Sequence, residues 1–358
     1  MPRIGRTCRN HWTAPVAVAV QLVVFFSNQI VADTETPVVR MGPLVDLNIE
    51  AKPGMNVSGK RLRGARFVGQ ALQGANFDDC DLTNVQFSEC NLTGATFRRA
   101  NLTDVDMNKE CPIDGADFTD AVINGLQAYL NESQLKSTWS YKSKDLRNCR
   151  ISAADAINKK AGPTFDFKDA QLQGAIFPGG DYRKCNFTDA RIDGAGLSGI
   201  MNFEQVASTW NHKRRRLNGV RFSIDIRGPA DFRNQGLSRS NFFTGILKDA
   251  DFSGAKIHGS YFRLSLTADQ LISTDNYVRG ELHDLKLNEI DLRGITFDRC
   301  NLSLTSFSDC DLTGVSFRDA EVSYCSFARC KGLTMSQLES TWNFKHDRMD
   351  SVRIELVK

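Results

Sequence analysis

The chain has 358 residues, 41% of them hydrophobic and 24% charged, a balance that excludes both a disordered chain and a polytopic membrane protein. Its formal charge of +3 comes from 45 basic and 42 acidic side chains. Arg3, Arg6 and Arg9 account for the excess, so the remainder is neutral, which argues against a strongly acidic mimic of DNA and against a generic polyanion binder.

Those three Arg precede an apolar run from Ala14 to Phe26, shorter than the roughly 20 residues a bilayer-spanning helix needs. Ile30-Val31-Ala32 follows, then acidic Asp33, so residues 1–32 have the layout of a secretory signal peptide. Export to the periplasm or the cell exterior is expected. Ile30 is large for its place before the cleavage point, and an uncleaved segment would act as an anchor. Cys8 precedes the apolar run and cannot be a lipoprotein attachment cysteine. Residues 33–56 read as a linker.

From Leu62 a large apolar residue recurs every fifth position: Leu62, Phe67, Leu72, Phe77, Leu82, Phe87, Leu92, Phe97, Leu102, Met107. Neither the helical period of 3.6 nor the strand period of 2 produces this, and a fixed period marks a repeat architecture. Two residues before each centre stands a small one, as at Ala65, Ala75, Cys80, Val85 and Cys90, with Asn or Asp often between, as at Asn76, Asp81 and Asn91. The register returns at Ile113, Phe118 and Ile123, from Phe167 to Leu197, from Phe232 to Phe262, and from Leu282 to Phe327. This explains why Phe, at 23, outnumbers Tyr at 6 and Trp at 4.

Units such as Ala100-Asn101-Leu102-Thr103-Asp104 and Cys90-Asn91-Leu92-Thr93-Gly94 resemble the pentapeptide-repeat family. The resemblance implies that family's fold, a β protein of the right-handed quadrilateral β-helix type, over residues 57–358. Large and small residues that must both point inward make each pentapeptide one corner, and four make a coil. Residues twenty apart then stack, as in Leu62/Leu82/Leu102 and Phe67/Phe87/Met107, and matched sizes leave few voids. The repeat units add up to roughly nine coils, on the order of 45 Å at about 4.8 Å per coil.

A second, longer repeat interrupts the first: Asn131-Glu-Ser-Gln-Leu-Lys-Ser-Thr-Trp, Asn202-Phe-Glu-Gln-Val-Ala-Ser-Thr-Trp, Thr267-Ala-Asp-Gln-Leu-Ile-Ser-Thr-Asp and Thr334-Met-Ser-Gln-Leu-Glu-Ser-Thr-Trp. Asn or Thr with Gln three residues on is a capping box. Four short inserted helices of about two turns are therefore expected, near 131–142, 202–213, 267–278 and 334–345. The chain returns to the coil through Leu146/Ile151, Leu217/Phe222, Leu282/Leu287 and Met349/Ile354. Trp139, Trp210 and Trp342 share one motif position, held by Asp275 in the third insert. They are expected to anchor the inserts; the sharper reading is a row of exposed aromatic platforms for a sugar or a partner. The fourth insert is placed to cap the last hydrophobic layer.

The chemistry-bearing residues have mostly structural readings. Nine of the ten Cys, all but Cys8, occupy the small inward position, where Cys acts as a compact hydrophobe. Cys90/Cys111 and Cys310/Cys330 are expected to stack on adjacent coils, with an unfavourable torsion for a disulfide. No C-x-x-C spacing suggests a metal, and His212, His258, His283 and His346 lack paired spacing. Gly194-Ala-Gly-Leu-Ser-Gly199 matches a dinucleotide fingerprint, but Leu197 is a repeat centre and no crossover unit surrounds it. Asp recurs beside the centres, as turn bonding requires and a catalytic cluster does not. No cofactor is expected.

Charge is uneven along the chain. Residues 131–216 hold 15 basic and 9 acidic side chains, densest at Lys213-Arg214-Arg215-Arg216. That run, with Trp139, Trp210 and Trp342, is the candidate interaction surface. Interleaved aromatics for nucleic-acid stacking are lacking. Two departures stand out: the period blurs from Ile151 to Phe165, and Arg227 takes a centre, where a bulge or loop is expected. The expected function is a non-catalytic exported repeat scaffold for protein–protein or envelope interaction. A gyrase-binding DNA mimic of the pentapeptide class and a β-helix enzyme acting on polysaccharide are the alternatives.

Overall fold

In the computed structural model, residues 51–107, 110–152, 162–227, 229–243, 247 and 249–355 are described. The chain divides into Met1–Thr36 and Pro37–Lys358. The first unit, with the expected signal peptide, lies outside the described residues, and everything below concerns the second.

Each pentapeptide makes one corner of a right-handed quadrilateral β-helix. The centre's carbonyl accepts the N–H of the small residue three positions on, as Leu62 does from Ala65 at 3.1 Å and Phe97 from Ala100 at 3.1 Å. The residue two after the centre has positive φ: Gly64 at 68°, Asp79 at 58°, Asn84 at 59°, Arg99 at 54°. This is the type II turn pattern, which explains the Gly, Asn and Asp found there. Asn or Asp beside the centre locks the same turn: Oδ1 of Asp81 accepts from Thr83 N–H at 3.3 Å, and Oδ1 of Asn91 accepts from Thr93 N–H at 3.0 Å.

Stacking is parallel and in register at twenty residues. Strands β1 (Arg66–Val68), β2 (Gln86–Ser88) and β3 (Asp106–Met107) form one sheet. The other is built by β4 (Ile176–Phe177), β5 (Gly196–Asn202), β6 (Arg221–Arg227), β7 (Asn241–Phe242), β8 (Tyr261–Arg263), β9 (Lys286–Asn288), β10 (Ser306–Ser308), β11 (Ser326–Ala328) and β12 (Arg353–Glu355), in that order. Phe67 pairs with Phe87 and Phe87 with Met107, as the period predicts. Their rings stack within a column, 4.9 Å apart for Phe67 and Phe87, and meet the next Phe column edge to face, at 6.0 Å for Phe67 and Phe77. Offset stacking and edge contacts are the two favoured aromatic geometries.

Three sequence expectations change. The coil reaches back into the 33–56 segment read as a linker, since Ala51 and Met55 are buried and Gly54 N–H donates to the Gln73 carbonyl at 2.8 Å. Neither a bulge nor a loop forms before Arg227; β6 instead runs straight beside β5, Gly199 opposite Ile224 and Asn202 opposite Arg227. Gly199 is required there, because φ is 105° and a Cβ would lie 2.2 Å from the Gly180 carbonyl oxygen. There are also more coils than nine. Leu62, Leu82, Leu102, Ile123, Leu146, Leu172, Ile192, Leu217, Leu237, Ile257, Leu282, Leu302, Val322 and Met349 follow one another up one face. The inserts do not leave the coil but complete it. The blurred 151–165 region lies partly outside the described residues.

Each insert is two one-turn helices rather than one helix of two turns: α1 (Glu132–Ser137) with α2 (Trp139–Lys142), α3 (Phe203–Ala207) with α4 (Trp210–Lys213), α5 (Ala268–Ile272) with α6 (Asp275–Val278), and α7 (Met335–Glu339) with α8 (Trp342–Lys345). The break is an extended Thr at 138, 209, 274 and 341. Its hydroxyl accepts from the N–H three residues on and donates to a carbonyl of the first helix, as Thr209 does from His212 and to Val206. The expected capping boxes form. Gln134 Oε1 accepts from Asn131 N–H at 3.0 Å, and Asn131 Oδ1 from Gln134 N–H at 2.9 Å.

Candidate functional site

The four inserts share one face. The N–H groups of Trp139, Trp210, Asp275 and Trp342 donate to Ala121, Ala190, Ala255 and Ala320, which precede Ile123, Ile192, Ile257 and Val322 of the single column above. Three coil steps separate each insert from the next, about 14 Å at about 4.8 Å per coil.

Each insert is held down by a buried apolar residue, Leu135, Val206, Leu271 or Leu338, and by polar contacts. The Gln of the capping box turns its amide the other way: Gln205 Nε2 donates to the carbonyls of Tyr182 and Cys185, each at 2.7 Å, and Gln337 Nε2 to Leu312 and Val315 at 3.0 and 2.8 Å. Buried Asn211, Asn276 and Asn343 accept from the N–H of Ile192, Ile257 and Val322, each at 2.7 Å, and Ser140 Oγ does this for Ile123 at 2.9 Å. Lys142, Lys213 and Lys345 reach Asp120, Asp189 and Asp319 on the coil behind. In the third insert Val278 and Gly254 replace both members of that pair, and Val278 is 76% exposed.

The Trp residues are therefore not the anchors expected of them. Trp139 is 55% exposed, and Trp342 stacks on His346 with ring centres 4.2 Å apart and the Arg348 guanidinium at 5.6 Å. Trp210 is half-buried beneath three guanidiniums: Arg191 at 4.7 Å, Arg214 at 4.8 Å and Arg216 at 5.9 Å from the ring centre. A uniform row of aromatic platforms does not form. The fourth insert also leaves the last layer partly open, since β12 follows it and Ile354 is 41% exposed.

The basic run is split by its local structure. Arg214 caps α4 and Arg216 precedes the centre Leu217, which turns both toward Trp210. Lys213 is neutralised by Asp189 at 2.7 Å. Arg215, at φ 56°, lines a groove of about 410 Å³ with His212, Lys213, Asp231, Arg233, Asn234 and Gln235. There His212 Nε2 donates to the Asp231 carbonyl at 2.9 Å. The Arg233 guanidinium, 2.7 Å from Asp231, holds that carboxyl down at about 2.

Elsewhere Asp and Arg alternate as ladders over the faces. Arg99 pairs with Asp79 and Arg329 with Asp309 across one coil, while Arg183 pairs with Asp181 and Arg293 with Asp291 within a turn. Among the described residues no group of three or more His, Cys, Asp or Glu is placed to hold a metal ion. A second groove, of about 670 Å³, is lined by Leu264, Leu266, Thr267, Ala268, Asp269, Glu289, Asp291 and Arg293.

Nine Cys are buried among the described residues. They are more than hydrophobes: the thiols of Cys80, Cys149 and Cys325 each donate to a carbonyl of the coil below at 2.9 Å, as Ser240 and Thr305 do from the same position. Burial pushes the Cys149, Cys185 and Cys325 thiols up to about 12. Cys310 and Cys330 meet across adjacent coils, as the register predicts. Leu197, inside the glycine-rich match, is a buried centre between Phe177 and Phe222. The His258 and His283 rings meet at a 50° tilt with centres 4.2 Å apart. That contact and the arrival of Arg191 at Trp210 escaped the sequence reading. Both follow once the insert length is added to the twenty-residue register.

The family model "Pentapeptide repeats" matches in eight copies, over residues 61–99, 80–109, 166–200 and 281–331. No curated protein matches the chain in sequence. Among solved structures it is similar to HetL, a pentapeptide repeat protein involved in heterocyst differentiation regulation from the cyanobacterium Nostoc sp. strain PCC 7120. That match has 15% identity, 76% of this chain, 91% of that one and a TM-score of 0.20. It is also similar to full-length QnrB1, a plasmid-mediated fluoroquinolone resistance protein, at 15% identity, 84% of this chain, 93% of that one and a TM-score of 0.16. Among the described residues no helix is long and apolar enough to cross a membrane.

Proposed function

The chain is a pentapeptide-repeat protein, and from that premise we propose that it is an exported, non-catalytic scaffold that presents a rigid surface to a protein or envelope partner. The observation that carries this reading is where the chemistry-bearing side chains go. The nine thiols sit in the core and lie buried, and the recurrent Asp lock turns or pair with Arg. Nucleophilic catalysis needs an accessible thiolate or an activated hydroxyl, and glycoside cleavage needs two carboxylates held apart from neutralising cations. A solenoid instead leaves its outward positions free of packing demands, which suits binding.

Export rests on the Arg-rich, apolar layout of residues 1–32. The DNA-mimic alternative needs a continuous acidic face, and Arg99, Arg293, Arg318 and Arg329 neutralise the carboxylates that would form one. Photo-crosslinking from outward positions in the native host, with N-terminal sequencing of the recovered chain, tests the reading. The expected outcome is a mature start near Asp33 and cross-links to envelope or exported proteins. A cytoplasmic chain beginning at Met1 that protects gyrase would overturn it.

A further inference from the structure

Three guanidiniums converge on one indole. Arg191 comes from one coil, Arg214 from the end of α4 and Arg216 from the coil that follows, and all lie within 5.9 Å of the Trp210 ring centre. The register of the insert brings this about, since the Trp210 N–H donates to the Ala190 carbonyl one coil behind and so sets Arg191 beside the ring. Among the described residues none of the three pairs with a carboxylate. Arg63, Arg98, Arg99, Arg147, Arg183, Arg233, Arg293, Arg318 and Arg329 all do.

The indole explains how three like charges are tolerated together. Its face is the negative end of the ring quadrupole and attracts a guanidinium laid over it. Stacking occupies the flat of the guanidinium and leaves its N–H edge available, and that edge matches a carboxylate with two parallel hydrogen bonds. The Trp210 ring is thus already covered by cations, which removes it as a platform for a sugar ring.

We propose that Arg191, Arg214 and Arg216, arrayed on Trp210, form a docking site for a short acidic segment of a partner protein, one bringing two or three carboxylates. This deepens the scaffold reading and rests on it. The extent of the patch selects a segment rather than a polymer. Asp189, held by Lys213 at 2.7 Å, and Asp231, held by Arg233 at 2.7 Å, lie on the coils that flank α4. A long, uniformly charged polyanion laid along the face meets those carboxylates, whereas a few side chains reach the three guanidiniums alone.

The test is fluorescence anisotropy of a fluorescein-labelled hexaglutamate peptide with the full chain at 50 mM salt. Binding is expected, weakened at least tenfold in the triple variant Arg191→Gln, Arg214→Gln, Arg216→Gln and changed less than twofold in the control Arg293→Gln, whose Asp291 pair lies elsewhere. Arg214→Lys, which keeps the charge and loses the fork, is expected to fall between; it serves as the second variant should the triple change disturb folding. Absence of peptide binding, an equal loss in Arg293→Gln, or a heparin fragment that needs the cluster while the peptide does not bind would each overturn the site. Cross-links to host proteins that persist when the peptide fails would sink this site alone; peptide binding without any host cross-link would sink the scaffold reading instead.

Discussion

Asn211 completes, for Ile192, the coil that its own insert interrupts. Its Oδ1 accepts the Ile192 N–H at 2.7 Å and its Nδ2 donates to the Arg216 carbonyl at 3.0 Å, so one buried side chain stands in for a strand's backbone on both sides. Asn276 and Asn343 repeat the arrangement. The backbone of α4 cannot do this itself, because its N–H and C=O groups lie along the helix axis and not across the coil.

Asn211→Ala should therefore strand two polar groups in a dry place and destabilise the fold by roughly 2–6 kcal/mol, at about 1–3 kcal/mol per orphaned group. Asn211→Asp keeps the acceptor for Ile192 but sets a buried carboxylate against the Arg216 carbonyl, and should lose at least as much. Urea denaturation measures both, and a loss in Asn211→Ala no larger than that of an exposed substitution would refute the role.

Gly64 isolates the backbone contribution of the corner. Its φ is 68°, and a Cβ there would meet nothing within 4 Å. Gly64→Ala should still cost about 1–2 kcal/mol, from the left-handed conformation alone. Leu304, at φ 63° and 56% exposed, offers the reverse experiment. Leu304→Gly removes the strain without opening a cavity and should raise the thermal midpoint. A fall in midpoint larger than that of Gly64→Ala would show that Leu304 packs in a way its exposure denies.

Phe87 stacks on Phe67 at 4.9 Å and meets Phe77 and Phe97 edge to face. Phe87→Ala leaves a cavity in a close-packed column, with an expected cost of about 3–5 kcal/mol. Because each coil touches only its neighbours, hydrogen exchange should rise in residues 62–107 well before residues 282–327. Uniform loss of protection along the chain would contradict nearest-neighbour stacking.

Thiol reactivity should track burial. With Cys149, Cys185 and Cys325 pushed up to about 12, their thiolate fraction at pH 8 is negligible. Iodoacetamide should leave them unmodified in the folded chain and label them fully in urea, as read by peptide mass spectrometry. Labelling of Cys149 under native conditions would mean that the coil opens there.

Acid should weaken the ladders in a defined window. Hydrogen bonds from Arg233 and Arg293 hold Asp231 and Asp291 down at about 2, below the usual 3.8. A carboxyl lowered by folding stabilises the folded state above the unfolded value and loses that contribution as pH falls toward the folded one. Stability should therefore be level near neutrality and decline between about pH 4 and pH 2. The decline should be shallower in Asp291→Asn, and an unchanged decline there would remove the pair from the account.

Much of the fold was legible because its determinants are local. Leu62, Phe67 and Leu72 announce their inward position by size, Gly64 and Asn84 announce the positive-φ corner, and Asn131 with Gln134 announces a helix start. Trp210 was legible only as a repeated motif position. Its meaning changed when Arg191 arrived from the coil behind, a contact that depends on how many residues the insert adds to the register. The split of each insert at Thr138, Thr209, Thr274 and Thr341 was hidden for a related reason. A Thr between two helical turns looks like a tolerable helix residue until its hydroxyl is seen bonding on both sides.

By itself, then, the sequence determined the repeating corner, since side-chain volume and left-handed tolerance are properties of single residues read every five positions. Only the tertiary structure decided which charges remain uncompensated. Arg99 and Arg293 look no different in sequence from Arg191 and Arg214, yet the first two meet Asp79 and Asp291 and the others meet Trp210. Neutralisation is a matter of distance across coils, set by stacking and by the inserts, and distance is what a linear pattern does not carry.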